Sequence, residues 1–232
     1  MNTASAQFPY PWQLCKIIHL VSHGQAMHNV EGDKDREALL SDHLFDAQLS
    51  PLGLQQVCKL GKDVHASGLL KKIDLVITSP LYWTVQTAME VFGSESQADG
   101  GNSCPQIMAV ELCRDRMGQR PCDMRRRMDG EEDSMWNPDV RESEEEMAAR
   151  MVLFMEWLWT RPEQQMVIVS HGIILQKILY VLGNDCHPTT TSALQTLRSV
   201  VIVDKSLREA DSPLCSPADV ANLNVSRGEV SN

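Results

Sequence analysis

The 232-residue chain lacks the features that mark membrane and secreted proteins. No run approaches the roughly 20 apolar residues of a membrane span, and the first 14 residues lack a secretory core. The seven cysteines include no C-x-x-C pair and fall largely within or beside apolar runs, as is typical of reduced packing residues. We therefore expect a cytoplasmic protein with no membrane partner.

Basic residues are also scarce, since Lys and Arg total 21 against 31 Asp and Glu and the net charge is −10. Such a charge disfavours nonspecific binding to nucleic acid. The sequence has no Walker loop, no G-x-G-x-x-G and no His/Cys cluster with metal-ligand spacing. It gives no signal for a cofactor or a metal, and it leaves the oligomeric state open.

Two stretches share one arrangement, a β-rich apolar run that ends in Ser-His-Gly. They are residues 16–24 and residues 166–172. If both runs are parallel strands of one sheet, His23 and His171 lie at strand carboxyl ends, where such sheets bind ligands. A lone histidine there is more simply a polar residue closing a buried strand, but the pair favours one shared crevice.

Between these stretches the pattern alternates strands with amphipathic helices. Helix starts are indicated by Ser50-Pro51, by Ser79-Pro80 and by Ser143 with Glu146. Residues 73–78, 107–110 and 194–203 have the composition of strands, and residues 31–46 are interpreted as a connection. The alternation predicts an α/β fold, a three-layer, mostly parallel sheet with helices on both faces.

The composition also suggests the domain organisation. Residues 1–14 form a lead-in, and residues 15–205 form one domain with an inserted lid at about 112–140, where arginines accumulate without a clear period. Residues 206–232 are polar and contain few large apolar groups, so we expect a disordered tail.

Several motifs in order give the chain a family resemblance. They are His23-Gly24-Gln25 with Asn29, Leu49-Ser50-Pro51-Leu52-Gly53, Thr78-Ser79-Pro80-Leu81 with Gln86-Thr87-Ala88, and Val169-Ser170-His171-Gly172. Over residues 14–203 the chain resembles the histidine phosphatase (phosphoglycerate mutase-like) superfamily. Its plant and fungal mutase-like branch is suggested further by Glu111-Leu112-Cys113-Arg114 and Pro121-Cys122-Asp123.

The resemblance implies roles for individual residues. His23 would be the nucleophile that takes a phosphoryl group, and His171 its neighbour in the phosphate pocket. The acid would be Glu111 or, by a shifted alignment, Asp115, and we favour Glu111 because it directly follows a strand. The mouth of the pocket would be lined by Gln25, His28 and Asn29, although Asn29 alternatively fixes a turn and His28 is alternatively a surface residue.

Two positions depart from the family pattern. Where the family has arginines that grip the phosphate, this chain has Ser22 and Trp83, with Tyr82 before the latter. Losing two charge-assisted partners costs about 3–6 kcal/mol, or on the order of 10²–10⁴ in rate. Trp83 and Tyr82 then form either a stacking surface for an apolar substrate or, for Trp83, a simple filling of the vacated volume.

Three functions compete. The first is an enzyme that uses His23, His171 and an acidic residue for acid/base chemistry on a small, non-phosphorylated organic substrate. That chemistry would be cyclisation, isomerisation, dehydration or hydrolysis. The second is a catalytically dead, ligand-binding pseudo-phosphatase. The third is a conventional phosphomonoesterase in which lid arginines replace the lost ones, with Arg114, Arg116 and the run 125–127 as candidates.

The lost arginines also predict a change in proton chemistry. Guanidinium groups repel a protonated imidazole, so their absence beside a carboxylate favours the charged form of histidine. We therefore expect either His23 or His171 to carry a proton at neutral pH and to act as a general acid.

Overall fold

A five-stranded sheet forms the centre of the molecule. The computed structural model describes residues 15–93, 104–127, 130–183 and 197–203. The strands are β1 Cys15–Ser22, β2 Leu75–Thr78, β3 Gln106–Ala109, β4 Gln165–Ser170 and β5 Arg198–Val203. Their order is β3-β2-β4-β1-β5, and only β5 runs antiparallel to its neighbour. The predicted mostly parallel sheet is confirmed.

Helices cover both faces of this sheet. They are α1 Met27–Lys34, α2 Pro51–Ala66, α3 Tyr82–Phe92, α4 Glu144–Thr160 and α5 Gly172–Val181. In β2, Leu75 and Ile77 pack into a core with α4 and α5, whereas Val76 packs into a second core with α2 and α3. Because successive side chains of a strand point to opposite faces of the sheet, β2 contributes to a core on each face, and the sheet with its helices forms the three predicted layers. None of the helices in the described ranges is long and apolar enough to cross a bilayer.

Two of the predicted helix starts are observed. Ser50 Oγ accepts a hydrogen bond from Gly53 N at 3.0 Å, and Ser143 forms a capping box with Glu146. The start predicted at Ser79-Pro80 is wrong, because α3 begins at Tyr82 with Leu81 as its N-cap. The N–H of Tyr82 instead donates to Asp46 Oδ1 at 2.6 Å, a cap that comes from a residue far away in sequence.

The expected connection over residues 31–46 is also partly wrong. Its first residues belong to α1, and two short 3₁₀ helices follow at Arg36–Leu40 and Asp42–Leu44. His28 is the buried residue of α1. Since α1 has no apolar stripe, hydrophobic periodicity gave no signal for it.

The arginine-rich stretch proposed as a lid contains short 3₁₀ helices at Glu111–Cys113 and Pro121–Asp123. Arg114 is fully buried and donates to both carboxylate oxygens of Asp133, at 2.8 and 2.6 Å. The predicted lead-in 1–14 and tail 206–232 lie outside the described residues.

The loop after β1 touches the first turn of α2. A Cβ placed on Gly53 would lie 2.0 Å from the carbonyl oxygen of Gln25, well inside any real contact distance. Ser50 N also donates to that carbonyl at 2.8 Å, and Ser50 Oγ donates to Gln25 Oε1 at 2.7 Å. Glycine at position 53 therefore lets α2 hold the loop that follows His23.

Candidate active site

The two Ser-His-Gly histidines meet at one edge of the sheet. β1 and β4 are parallel neighbours, with Ser22 paired to Ser170 in register. His23 N donates to Ser170 O at 3.1 Å, and the ring centroids of His23 and His171 are 5.2 Å apart. The geometry expected from parallel strand ends is present, while the catalytic roles of the two residues stay predictions.

His23 is fixed in one tautomer. Its Nδ1 lies 2.7 Å from the carbonyl oxygen of Gly24, which can only accept, so Nδ1 carries the proton and donates. No described residue bonds to Nε2, and the side chain is half-buried at the crevice. His23 therefore presents an open lone pair.

His171 lies deeper and has both nitrogens next to protein. Its Nε2 lies 2.9 Å from Ser79 Oγ, and its Nδ1 lies 3.5 Å from Asp115 Oδ2. The residue is 1% exposed. This arrangement fits an Nδ1–H directed at Asp115 and a Ser79 hydroxyl that donates to Nε2. Ser79, for which the sequence predicted a role as a helix cap, positions the second histidine.

His28 is buried beside these two rings and has its tautomer set by Asn29. Ala26 N donates to Asn29 Oδ1 at 2.9 Å, which orients the amide. Asn29 Nδ2 then donates to His28 Nε2 at 3.0 Å, so His28 carries its proton on Nδ1. Asn29 acts here by fixing its neighbour, and His28 is buried rather than on the surface.

Trp83 packs under all three imidazoles. Its ring centroid is 4.4 Å from that of His28, 6.0 Å from that of His23 and 5.7 Å from that of His171. Because the side chain is 0% exposed and belongs to the core with α2 and α3, its placement favours the volume-filling alternative. Trp83 Nε1 and Ser22 Oγ are buried, and neither has a hydrogen-bond partner among the residues that the structure describes.

The two candidate acids lie in different surroundings. Asp115 is the carboxylate next to His171, and its charge acts on His23. Glu111, which the sequence favoured, forms ion pairs with Arg114 at 3.1 Å and Arg125 at 2.5 Å. No contact joins Glu111 to either imidazole in the part of the chain described. The structure brings Asp115, rather than Glu111, to the histidines.

The other two predicted contacts lie to the side. The side-chain oxygen of Gln25 accepts a hydrogen bond from Ser50 Oγ, and its backbone N–H donates to Gln56 Oε1 at 2.9 Å. The Tyr82 ring lies 4.1 Å under the guanidinium of Arg126, which also pairs with Asp46 at 2.9 Å. Their roles in substrate binding stay predictions.

The expectation of a protonated histidine at neutral pH is wrong for this structure. Burial lowers the pKa of all three histidines and is the largest cause in each case. The pKa of His23 is lowered, that of His171 lies well below its ordinary value, and that of His28 falls to about 3. Asp115 opposes the shift at His23, but its attraction is smaller than the cost of desolvation. The three imidazoles are neutral near pH 7.

The carboxyl of Asp123, a residue of the Pro121-Cys122-Asp123 motif, has a raised affinity for protons. Burial and then the charge of Asp115 raise the pKa of Asp123 to about 7, against the opposing attraction of Arg141 and Arg120. The sequence does not indicate this raised pKa, because it depends on Asp115 and Asp123 lying close together in the folded chain.

Most arginines near the site are already paired. Ion pairs join Arg114 with Asp133, Arg116 with Glu144, Arg125 with Glu111, Arg126 with Asp46, Arg127 with Glu132, Arg141 with Asp123 and Arg150 with Glu142. Within the described ranges the guanidinium of Arg120 has neither a hydrogen bond nor an ion pair, and its charge contributes to the lowered pKa of His28.

Comparison with known proteins agrees with this fold. The model of the histidine phosphatase superfamily (branch 1) matches residues 18–205. Phosphoglycerate mutase-like protein 1 of Arabidopsis thaliana is 42% identical over 91% of this chain and 90% of its own length. The chain belongs to the histidine phosphatase superfamily, as its motifs predicted.

Two solved structures share the fold at low identity. The alpha-ribazole phosphatase of Shigella flexneri is 20% identical with a TM-score of 0.54, over 82% of this chain and 91% of its own. The phosphoglycerate mutase of Bacillus anthracis is 13% identical with a TM-score of 0.53, over 82% of this chain and 89% of its own. These likenesses concern the fold alone.

Proposed function

We propose that the chain is a divergent member of the family in which phosphate-ester hydrolysis is lost or much weakened. In this proposal His23 acts as a base, and His171 with Asp115 completes an acid/base site. The substrate is a small, non-phosphorylated organic molecule, and the reaction is a cyclisation, isomerisation, dehydration or hydrolysis.

The observation that carries the proposal is the lack of positive charge where the resemblance implies two arginines. Ser22 and Trp83 occupy those positions, and both are uncharged and buried at their polar atoms. A phosphate dianion requires a fixed set of charged donors. With Arg114, Arg116 and the run 125–127 held in ion pairs, the lid arginines named from the sequence are poor replacements.

The state of His23 suits a general base. Its Nδ1–H is bonded to Gly24 O and its Nε2 is free, so Nε2 can accept a proton from a substrate. A neutral Nε2 is equally what phosphoryl transfer to histidine needs. The state of His23 therefore does not distinguish acid/base catalysis from phosphoryl transfer. The distinction rests on the uncharged residues at positions 22 and 83.

The first test is hydrolysis of p-nitrophenyl phosphate by the unaltered protein. We expect turnover close to background, and a gain of about 10²-fold when Ser22→Arg and Trp83→Arg are combined. Because Trp83 is a core residue, Ser22→Arg is assayed alone as well, with circular dichroism to verify folding. Robust hydrolysis by the unaltered protein that disappears in His23→Ala would defeat the proposal.

One observation favours a second candidate, a conventional phosphomonoesterase. The guanidinium of Arg120 has no ion pair among the described residues, yet its charge reaches His28. If Arg120 grips phosphate, Arg120→Gln should lower phosphate-ester hydrolysis by tenfold or more, whereas Arg116→Gln, which breaks a half-exposed pair with Glu144, should not. Equal effects of the two variants would remove this candidate.

A further inference from the structure

Four buried atoms around His23 have no hydrogen-bond partner among the described residues: Ser22 Oγ, Trp83 Nε1, His28 Nδ1 and His171 Nδ1. His171 Nδ1 lies 3.5 Å from Asp115 Oδ2, so the other three are the donors left for a ligand. Native proteins satisfy the great majority of their buried polar groups, so several orphans at one place require an explanation. Ser22 directly precedes His23, and the rings of His28 and Trp83 lie 6.2 and 6.0 Å from that of His23.

All three groups are neutral and can donate. An indole nitrogen is only a donor, and a serine hydroxyl can rotate to donate. For His28, the bond from Asn29 Nδ2 to Nε2 leaves the proton on Nδ1. Burial lowers the pKa of His28 to about 3, so this donor stays uncharged in ordinary buffers.

We propose that these donors bind the carbonyl oxygen of the substrate, so that the substrate is a small carbonyl compound with an acidic C–H bond. This inference rests on the proposed function of the same site and deepens it. His23 Nε2 takes the proton from the carbon next to the carbonyl. The C–H electron pair forms a C=C bond, and the carbonyl π pair moves to the oxygen, which becomes an enolate. In a β,γ-unsaturated carbonyl substrate this enolate is a dienolate. The oxygen pair then re-forms the C=O bond, the enolate C=C pair moves one bond along the chain, and the pair of the original C=C bond takes the proton back from His23 at the far carbon, which completes an isomerisation.

The charge of the donors favours a carbonyl over a phosphate. Oxyanions that develop during a reaction are stabilised by neutral N–H and O–H donors fixed in a water-poor site. A phosphate dianion carries its charge before the reaction begins, and three uncharged donors cannot neutralise it. Ser22 and Trp83, which stand where the resemblance implies arginines, therefore bind a phosphate dianion poorly but supply two of the three neutral donors for an oxyanion.

Access to the donors depends on α1, which carries His28. This helix is eight residues long and has His28 as its buried residue, so little apolar contact holds it in place. A cavity of about 350 Å³ lies beside it, lined by Met27 and Glu31 on α1 and by Asp46 and Arg126 opposite. A shift of α1 into this space would move His28 away from Trp83 and admit a substrate oxygen.

The indole resonances of ¹⁵N-labelled protein provide the test. p-Nitrophenolate, a monoanion whose single oxygen mimics that of an enolate, and inorganic phosphate are titrated separately. Trp83→Phe assigns the Trp83 signal. The indole of Trp136 already donates to Arg120 O at 3.0 Å and serves as an internal reference.

We expect p-nitrophenolate to shift the Trp83 N–H resonance downfield while that of Trp136 stays in place. The loss of one donor in Trp83→Phe, Ser22→Ala or His28→Leu should weaken p-nitrophenolate binding roughly tenfold. Ser170→Ala is the matched control, because Ser170 pairs with Ser22 in the sheet but already donates to Cys113 O at 2.7 Å. Its affinity for p-nitrophenolate should change less than about twofold.

Two results would overturn the inference. One is a Trp83 resonance that p-nitrophenolate leaves unmoved, which would make the indole a core residue alone. The other is a phosphate titration that moves the resonance as strongly and loses affinity in the same variants. Neither result depends on phosphate-ester turnover. This inference can therefore fail while the proposed function stands, and the proposed function can fail in the turnover assay while the three donors still bind an oxyanion.

Discussion

Asn29 controls the chemistry of a neighbouring residue without facing a substrate. Its side chain accepts from Ala26 N and donates to His28 Nε2, so one amide both caps α1 and selects the tautomer of a buried imidazole. A carboxamide is suited to this, since its oxygen and nitrogen have fixed and opposite hydrogen-bonding roles. The identity of residue 29 thus decides which nitrogen of His28 carries the proton.

Nitrogen NMR should detect this control directly. Since burial and then the charge of His23 lower the pKa of His28 to about 3, its ring should remain the neutral Nδ1–H tautomer from pH 8 down to pH 5. Long-range ¹H–¹⁵N correlation spectra distinguish the two tautomers and the charged ring. In Asn29→Ala we expect a mixture of tautomers, and an unchanged His28 spectrum in that variant would contradict the assignment.

At the scale of elements, α4 holds the segment that carries the candidate acid. Arg150 is 6% exposed, pairs with Glu142 and donates to the backbone carbonyls of Leu112, Arg114 and Asp115. One guanidinium therefore fixes the path of the chain from the end of β3 to the carboxylate beside His171. Its five donors match this cluster of acceptors in a way that lysine cannot.

Removing this arginine should be costly. Arg150→Leu leaves the buried Glu142 carboxylate and three carbonyls without their donor, so we expect unfolding to become easier by about 3–5 kcal/mol. Urea denaturation at pH 7 measures the loss. Arg127→Leu is the control, because that arginine pairs with Glu132 on the surface and should cost less than about 1 kcal/mol. Similar losses in both variants would contradict the role of Arg150.

The same contacts explain how much of each element could be predicted. The starts of α2 and α4 follow from caps within four residues of sequence, so Ser50 and Ser143 were sufficient. The start of α3 depends on Asp46, which is distant in sequence. The sequence also could not decide between Glu111 and Asp115 as the candidate acid. Arg150 donates to the carbonyl oxygens of Arg114 and Asp115, and these contacts from a helix distant in sequence orient the segment that carries Asp115.

At the scale of the whole molecule, His19 connects three strands. It lies on β1, where its ring is 2.7 Å from Ser199 Oγ on β5 and 3.0 Å from Gln165 Nε2 on β4. The amide of Gln165 donates to Nε2, so Nδ1 carries a proton towards Ser199. Burial lowers the pKa of His19 to about 4, and the sheet is assembled around its neutral form.

This gives the fold an acid-sensitive point. Because the pKa of His19 is lower in the folded chain than in the unfolded one, the unfolded chain binds more protons below about pH 6.5 and stability falls as the pH decreases towards 4. From pH 7 to pH 5 we expect His19 alone to account for about 2 kcal/mol of lost unfolding free energy. Denaturation curves at both pH values should show a smaller loss in His19→Gln.

Replacing the exposed His65 on α2 is the matched control and should leave the pH dependence as it is in the unaltered protein. An identical slope in His19→Gln would contradict the assignment. The sequence predicted β1 as a buried strand, but the pairing of His19 with Ser199 and Gln165 depends on strand order, which the two Ser-His-Gly motifs determined only for β1 and β4.

The contact between Gly53 and Gln25 fixes the backbone beside His23 without using a side chain. Only hydrogen fits at position 53, where even a methyl carbon would collide with a backbone carbonyl two residues after His23. Positions 22 and 83 contribute side chains to the same site, Ser and Trp where the resemblance implies arginines. The backbone frame of the crevice and the groups that face a ligand are therefore set by different residues, so a substitution at position 22 can change the charge of the site while Gly53 keeps the loop after β1 in place.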